Sequence, residues 1–223
     1  MKVLAIGAHP DDIELGCGAT LAAHHSRGDS ITMLVLTTGE QGPQASRSRV
    51  HEQEEAAALL DARLLWGGFD DGAIPDGRAA VDAIQSVIRA NDIDTIYTHA
   101  AADTHQDHRA TALASMAAAR RSTRVLGYES PTSTAFTPTV HVDIAPFLDT
   151  KLELIRAHFS QVLKNGLVDV EAIEALARYR GFGARVRLAE SFETSRFTWD
   201  LMAPEPGEPT DVIAIDLALQ KTS

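Results

Sequence analysis

"VLAIGAHPDDIELG", residues 3–16, decides how the chain folds. Val3 to Gly7 form a continuous apolar run that suits a strand buried on both faces. A histidine, a proline and two adjacent aspartates follow at once, His9 to Asp12. Neighbouring carboxylates repel one another, so a pair at the mouth of a buried strand needs a cation or a task to keep both ionised.

The pattern of strand, polar cluster and helix recurs. Further strands are predicted at 30–38, 62–69, 94–99, 124–130 and 139–144. Between them, Val81, Ile84, Val87 and Ile88 share one face of 78–91, with Asp76 placed to cap its start. Leu148, Leu152, Ile155 and Phe159 do the same around 145–160, and 14–26, 47–60 and 106–120 are alanine-rich helix patterns. Strands alternating with helices imply an α/β fold, here a Rossmann-like three-layer sandwich with a mostly parallel sheet. Ligands in such sheets bind at the C-terminal ends of the strands. The unusual clusters all follow strands: "HPDD" after the first, "TTGEQG" (37–42) after the second and "THAAADTHQDH" (98–108) after the fourth.

Composition narrows the function. The chain has 223 residues, 44% of them hydrophobic, and a formal net charge of −11, which argues against nucleic acid or an anionic membrane as a partner. A small-molecule substrate remains. The single cysteine, Cys17, allows no intrachain disulfide and reads as a buried packing residue. No run approaches the ~20 apolar residues of a membrane span, and "MKVLAIGA" is too short for a signal sequence, so a cytoplasmic location is expected. One domain is expected over 1–202. After it come a proline-rich break, "APEPGEPT" (203–210), and an apolar tail to 223 that suits docking on its own core or assembly into a homo-oligomer.

Chemistry concentrates in two clusters. His9 and Asp12 are three apart in a turn stiffened by Pro10, and His105 and His108 are three apart where a helix would share one face between them. Two imidazoles and a carboxylate from separate segments, with a fourth position open, describe a catalytic Zn2+ site. If Asp12 binds the ion, Asp11 is free to act as base on the activated water. His105 can then stabilise an oxyanion or protonate a leaving group, and Asp107 can orient an imidazole, though spacing leaves open which one. Thr104 and Asp107 also fit a capping box, so Asp107 could simply cap the helix. Arg49 follows the glycine loop and faces either solvent or substrate. His99 and Asp103 either shape the pocket or, the favoured reading, are loop polar groups; Asp70 and Asp71 read as a turn or cleft wall, His158 as a packing residue, and His24, His25 and His51 as surface. The sequence argues against a dinucleotide site, because Gly-x-Gly-x-x-Gly spacing is missing and carboxylates stand where phosphate would bind.

"AHPDDIELGCGATLA" followed by "THQDH" resembles the LmbE-like, or PIG-L, family of zinc-dependent N-acetylglucosaminyl deacetylases. "TTGEQG", "RVHEQEEAAALL" (49–60), "HFSQ" (158–161) and "RLAESF" (187–192) are similar to further family markers, so the resemblance runs from about residue 2 to 195. It implies that His9, Asp12 and His108 bind zinc, that Asp11 is the general base, and that His105 faces the tetrahedral intermediate with Asp107 in support. It also implies that Arg49 contacts the substrate. The sugar comes only from the resemblance; the same chemistry on a non-sugar N-acyl metabolite fits the residues equally. Two departures stand out. Ile13 separates Asp12 from Glu14, and Asp61 stands where the family commonly has glycine.

Overall fold

The computed structural model describes residues 1–42, 46–164 and 168–199. The proline-rich break and the apolar tail, 203–223, lie outside the described residues, as does the domain boundary at 202. Among the described residues seven strands form one sheet: β1 (Lys2–Gly7), β2 (Ser30–Val35), β3 (Arg63–Trp66), β4 (Thr95–His99), β5 (Arg124–Tyr128), β6 (Val140–Asp143) and β7 (Ala189–Phe197). Six α-helices accompany them: α1 (Asp12–Ser26), α2 (Ser46–Leu59), α3 (Arg78–Asn91), α4 (Gln106–Ala118), α5 (Leu148–Ala157) and α6 (Val170–Ala184).

The sheet order is β3-β2-β1-β4-β5-β7-β6. The first five strands are parallel; β7 runs antiparallel to both β5 and β6. This is the α/β architecture that the alternation of elements implies. Side chains divide by the two-residue period of a strand. Val3 and Ala5 of β1 join Ile13, Leu21, Met33 and Leu154 in a core under α1, α2 and α5. Leu4 and Ile6 join Leu34, Ile84, Ile96 and Ala114 in a second core under α3 and α4. Each fully buried Leu or Ile contributes roughly 1.5–3 kcal/mol through apolar area removed from water.

Helix α1 is broken at Cys17, whose backbone leaves the helical region at φ −143°. The freed amides are satisfied from β7: Glu190 accepts from Ala19 N (3.0 Å) and Thr20 N (2.7 Å), and pairs with buried Lys151. Gly16 is required at this place, because a Cβ there would stand 2.1 Å from the Tyr128 ring.

Several sequence expectations are corrected. α6 and β7 were not anticipated. Asp76 does not cap α3; Gly77 occupies the N-cap and no side chain bonds there. His24 is not a surface residue: it is buried, with Nδ1 2.7 Å from Asp29 Oδ2 and Nε2 3.0 Å from Tyr97 Oη. Cys17 is fully buried, as its small-residue surroundings imply. No helix among the described residues is long and apolar enough to cross a membrane.

Candidate metal centre

Strands β1 and β4 are neighbours, yet the helices that follow them cover opposite faces of the sheet. Their C-terminal ends therefore open into a crevice at the topological switch point. The turn His9–Asp12 enters it from β1, and the start of α4 brings His105, Asp107 and His108 from the other side. The turn is tied down by His9 N donating to Asp12 Oδ2 (2.7 Å) and by Thr37 donating to Ala8 O through both its amide and its hydroxyl, each at 3.0 Å. Asp11 sits in the left-handed region at φ 87°, ψ −23°. For an L-residue that conformation costs about 1–2 kcal/mol, so the surroundings must hold it.

Asp12 bridges the two clusters. Its Oδ2 lies 3.4 Å from His9 Nδ1 and its Oδ1 lies 3.4 Å from His108 Nε2. Asp12 Oδ2 is also 3.2 Å from His99 Nε2. Each imidazole has a carboxylate behind it. His9 Nε2 is 3.0 Å from Asp71 Oδ1 and 3.2 Å from Asp107 Oδ2, while His108 Nδ1 is 3.1 Å from Asp103 Oδ2. The His105 ring stands 4.8 Å from His9 and 4.6 Å from His108 between centroids. Three clusters bring their potential ligand atoms within 4.8 Å of one another: His9 with His105 and His108, Asp12 with His99 and His108, and His9 with Asp71 and Asp107. A metal ion could be held here.

Asp107 meets both His9 and His105, through different groups. Its carboxylate goes to His9 and accepts from Gly72 N (2.7 Å) and Ile74 N (3.3 Å). Only its backbone N–H turns to His105, donating to Nδ1 at 3.2 Å. His105, not Thr104, is the N-cap of α4, and the capping box is not formed; the Thr104 hydroxyl donates instead to Thr132 O. With Nδ1 accepting, a neutral His105 carries its proton on Nε2.

Arg49 is buried rather than solvated. Its Nη2 donates to Pro10 O at 2.7 Å and stands 3.7 Å from Asp11 Oδ2. The glycine loop makes room for it: a Cβ at Gly39, which is at φ 67°, would meet Arg49 Nη1 at 2.2 Å and displace the guanidinium.

Electrostatics follow from burial opposed by neighbours. Burial disfavours a charged His9, but the carboxylates of Asp107, Asp12 and Asp71 prevail and push it up to about 12. His108 is raised for the same reason, by Asp12 and Asp103 working against burial. Burial and the adjacent Asp12 raise Asp11 to about 6, despite the opposing charges of His158 and Arg49. Burial would raise Asp12, but the surrounding imidazoles hold it well below the usual carboxylate range. His105 is lowered by burial and by His108 and His9. The crevice thus favours positive charge on His9 and His108 and disfavours it on His105 and His99, while Asp11 is raised to about 6.

In the sequence His99 and Asp103 read more readily as loop polar groups and Asp71 as a turn or cleft wall; the structure brings all three to the site. His99 ends β4 and stacks on His108 with centroids 4.0 Å apart. Asp103 is held by Ser130 and by the amide of His105. Their signal is position: His99 ends a parallel strand, and Asp71 and Asp103 lie in segments that follow one.

Comparison with known proteins gives the family and the fold. The family model for GlcNAc-PI de-N-acetylase (PIG-L) matches residues 4–119. An uncharacterized deacetylase, YaiS, from Escherichia coli K12 is 36% identical over 167 residues, covering 71% of this chain and 90% of the relative. Diacetylchitobiose deacetylase from Thermococcus kodakarensis is 26% identical over 186 residues, 72% of this chain and 70% of that protein. The crystal structure of the conserved protein TT1542 from Thermus thermophilus superposes with a TM-score of 0.80 at 30% identity, covering 89% of this chain and 96% of that one.

Proposed function

The chain belongs to the GlcNAc-PI de-N-acetylase (PIG-L) family, and from that premise we propose that it is a zinc-dependent deacetylase acting on an N-acetylated amino sugar conjugate. The observation that carries this is Asp12 standing between His9 and His108, with one carboxylate oxygen 3.4 Å from each and Asp11 next to it in the chain. His9, Asp12 and His108 would hold the zinc. Ligand atoms at the corners of a tetrahedron with 2.0–2.1 Å bonds lie about 3.4 Å apart. Asp12 offers that spacing to each imidazole through a different oxygen, Oδ2 to His9 and Oδ1 to His108. The second nitrogen of both histidines rests on a carboxylate, the arrangement that fixes the tautomer of a metal ligand. When bound, zinc supplies Lewis acidity to the attacking water and the acyl oxygen.

The chain's own groups then divide the proton work. Asp11, raised to about 6, is matched to taking a proton from the water near neutral pH. His105 presents Nε2–H as a donor to negative charge developing on the acyl oxygen, because its Nδ1 is occupied by the Asp107 amide. Asp107 holds His9 in place. Arg49 stands beside Asp11, offsetting its charge, and would contact the substrate near the scissile carbonyl or a neighbouring hydroxyl.

Asp11→Asn tests the assignment. With N,N'-diacetylchitobiose as probe, kcat should fall by about 10²–10⁴-fold while bound metal is retained. Full activity in that variant would remove Asp11 from the mechanism. Turnover of some other N-acyl amide, with no N-acetylated sugar accepted, would move the substrate class and leave the site unchanged.

A further inference from the structure

One peptide group beside the site is gripped on both of its edges by a single helix. Arg49 Nη2 donates to Pro10 O (2.7 Å), and the N–H of the same peptide, that of Asp11, donates to Gln53 Oε1 (3.2 Å). Arg49 and Gln53 are four apart on α2, so they project from one face of it. Gln53 is fully buried and fixed at its other end, where Nε2 donates to Glu14 Oε1 at 2.6 Å. Glu14, also fully buried, has its second carboxylate oxygen 3.3 Å from His158 Nε2.

The orientation of this peptide matters because Asp11 follows it in the left-handed region, at φ 87°. Few residues other than glycine adopt that conformation unaided. Rotating the Pro10–Asp11 peptide would change φ of Asp11 and swing its Cβ, and the carboxylate with it. An amide is the group the position demands: its oxygen must accept from Asp11 N–H while its nitrogen donates to the Glu14 carboxylate. A glutamate would lack the second donor and face Glu14 with like charge.

We propose that Gln53 is a positioning residue that fixes the Pro10–Asp11 peptide and so aims the Asp11 carboxylate at the reacting water. The inference rests on Asp11 being the base, as proposed above. It also assigns Arg49 a second duty, as the other jaw of the clamp.

Gln53→Met keeps the side-chain volume and removes both hydrogen bonds. Its kcat on N,N'-diacetylchitobiose should fall about ten- to a hundredfold, with KM and zinc content unchanged, as a displaced catalytic group requires. In an Asp11→Asn background the same change should cost nothing further, because Gln53 acts only through Asp11. A loss that multiplies with that of Asp11→Asn would show general damage and overturn the proposal. If Asp11→Asn abolishes activity and Gln53→Met leaves it intact, the clamp fails and the base assignment survives. If Asp11→Asn is fully active, the base assignment fails first. Should Gln53→Met not fold, Gln53→Asn, which withdraws the amide by one methylene, is expected to behave in the same way. A crystal structure of either variant decides the matter without turnover: Asp11 should leave the left-handed region, and Asp11 retained near φ 87° would contradict the proposal.

Discussion

At the scale of the residue, the site depends on carboxylates acting at one remove. Asp107 touches His9 Nε2 and is itself anchored by the amides of Gly72 and Ile74, so it holds the ring that would carry the metal. Asp107→Asn should therefore weaken zinc binding by about 10–100-fold, measured by competition with a chromophoric chelator. Unchanged affinity would confine Asp107 to a backbone role. The primary cluster was legible in the sequence because "HPDD" and "HQDH" place complementary groups three residues apart after predicted strands. Its supports were not. Asp71 and Gln53 come from other segments and meet the cluster only in the folded chain, and Asp103, though in the same stretch as His108, is placed behind its ring by the loop conformation and not by a spacing rule.

At the scale of the element, local sequence determined most helices and strands, and tertiary context determined the rest. β7 reads "AESFETSRF", with polar residues on both faces, and becomes a strand because β5 and β6 pair with it on either side. α6 carries a clear start, Asp169 accepting from the amides of Glu171 and Ala172. Its apolar stripe is blurred by exposed Tyr179 and Phe182, which is why periodicity alone did not reveal it. The departure at Asp61 has a structural reading. Ala62 N donates to Ala57 O and Asp61 N to Ala58 O, a Schellman motif ending α2 with Asp61 in the left-handed position at φ 47°. Glycine suits that position better. Asp61→Gly should stabilise the fold by about 0.5–1 kcal/mol, seen as a higher denaturant midpoint at unchanged slope. A lower midpoint would mean that the aspartate side chain contributes more than its backbone costs.

At the scale of the whole molecule, the site is a consequence of topology. Parallel order β3-β2-β1-β4-β5 puts the reversal of strand order between β1 and β4, and both polar clusters lie at the ends of those two strands. Two helices packed on opposite faces open the crevice, and α2 leans in from β2 with Arg49 and Gln53 to hold the turn. The central claim is that this crevice is built around zinc. Its most direct test is the metal content of protein purified without chelator or added metal, beside His9→Ala and His108→Ala. Near-stoichiometric zinc in the parent, lost in both variants, is the predicted result. A parent that carries no metal and takes up none when zinc is added would contradict the account.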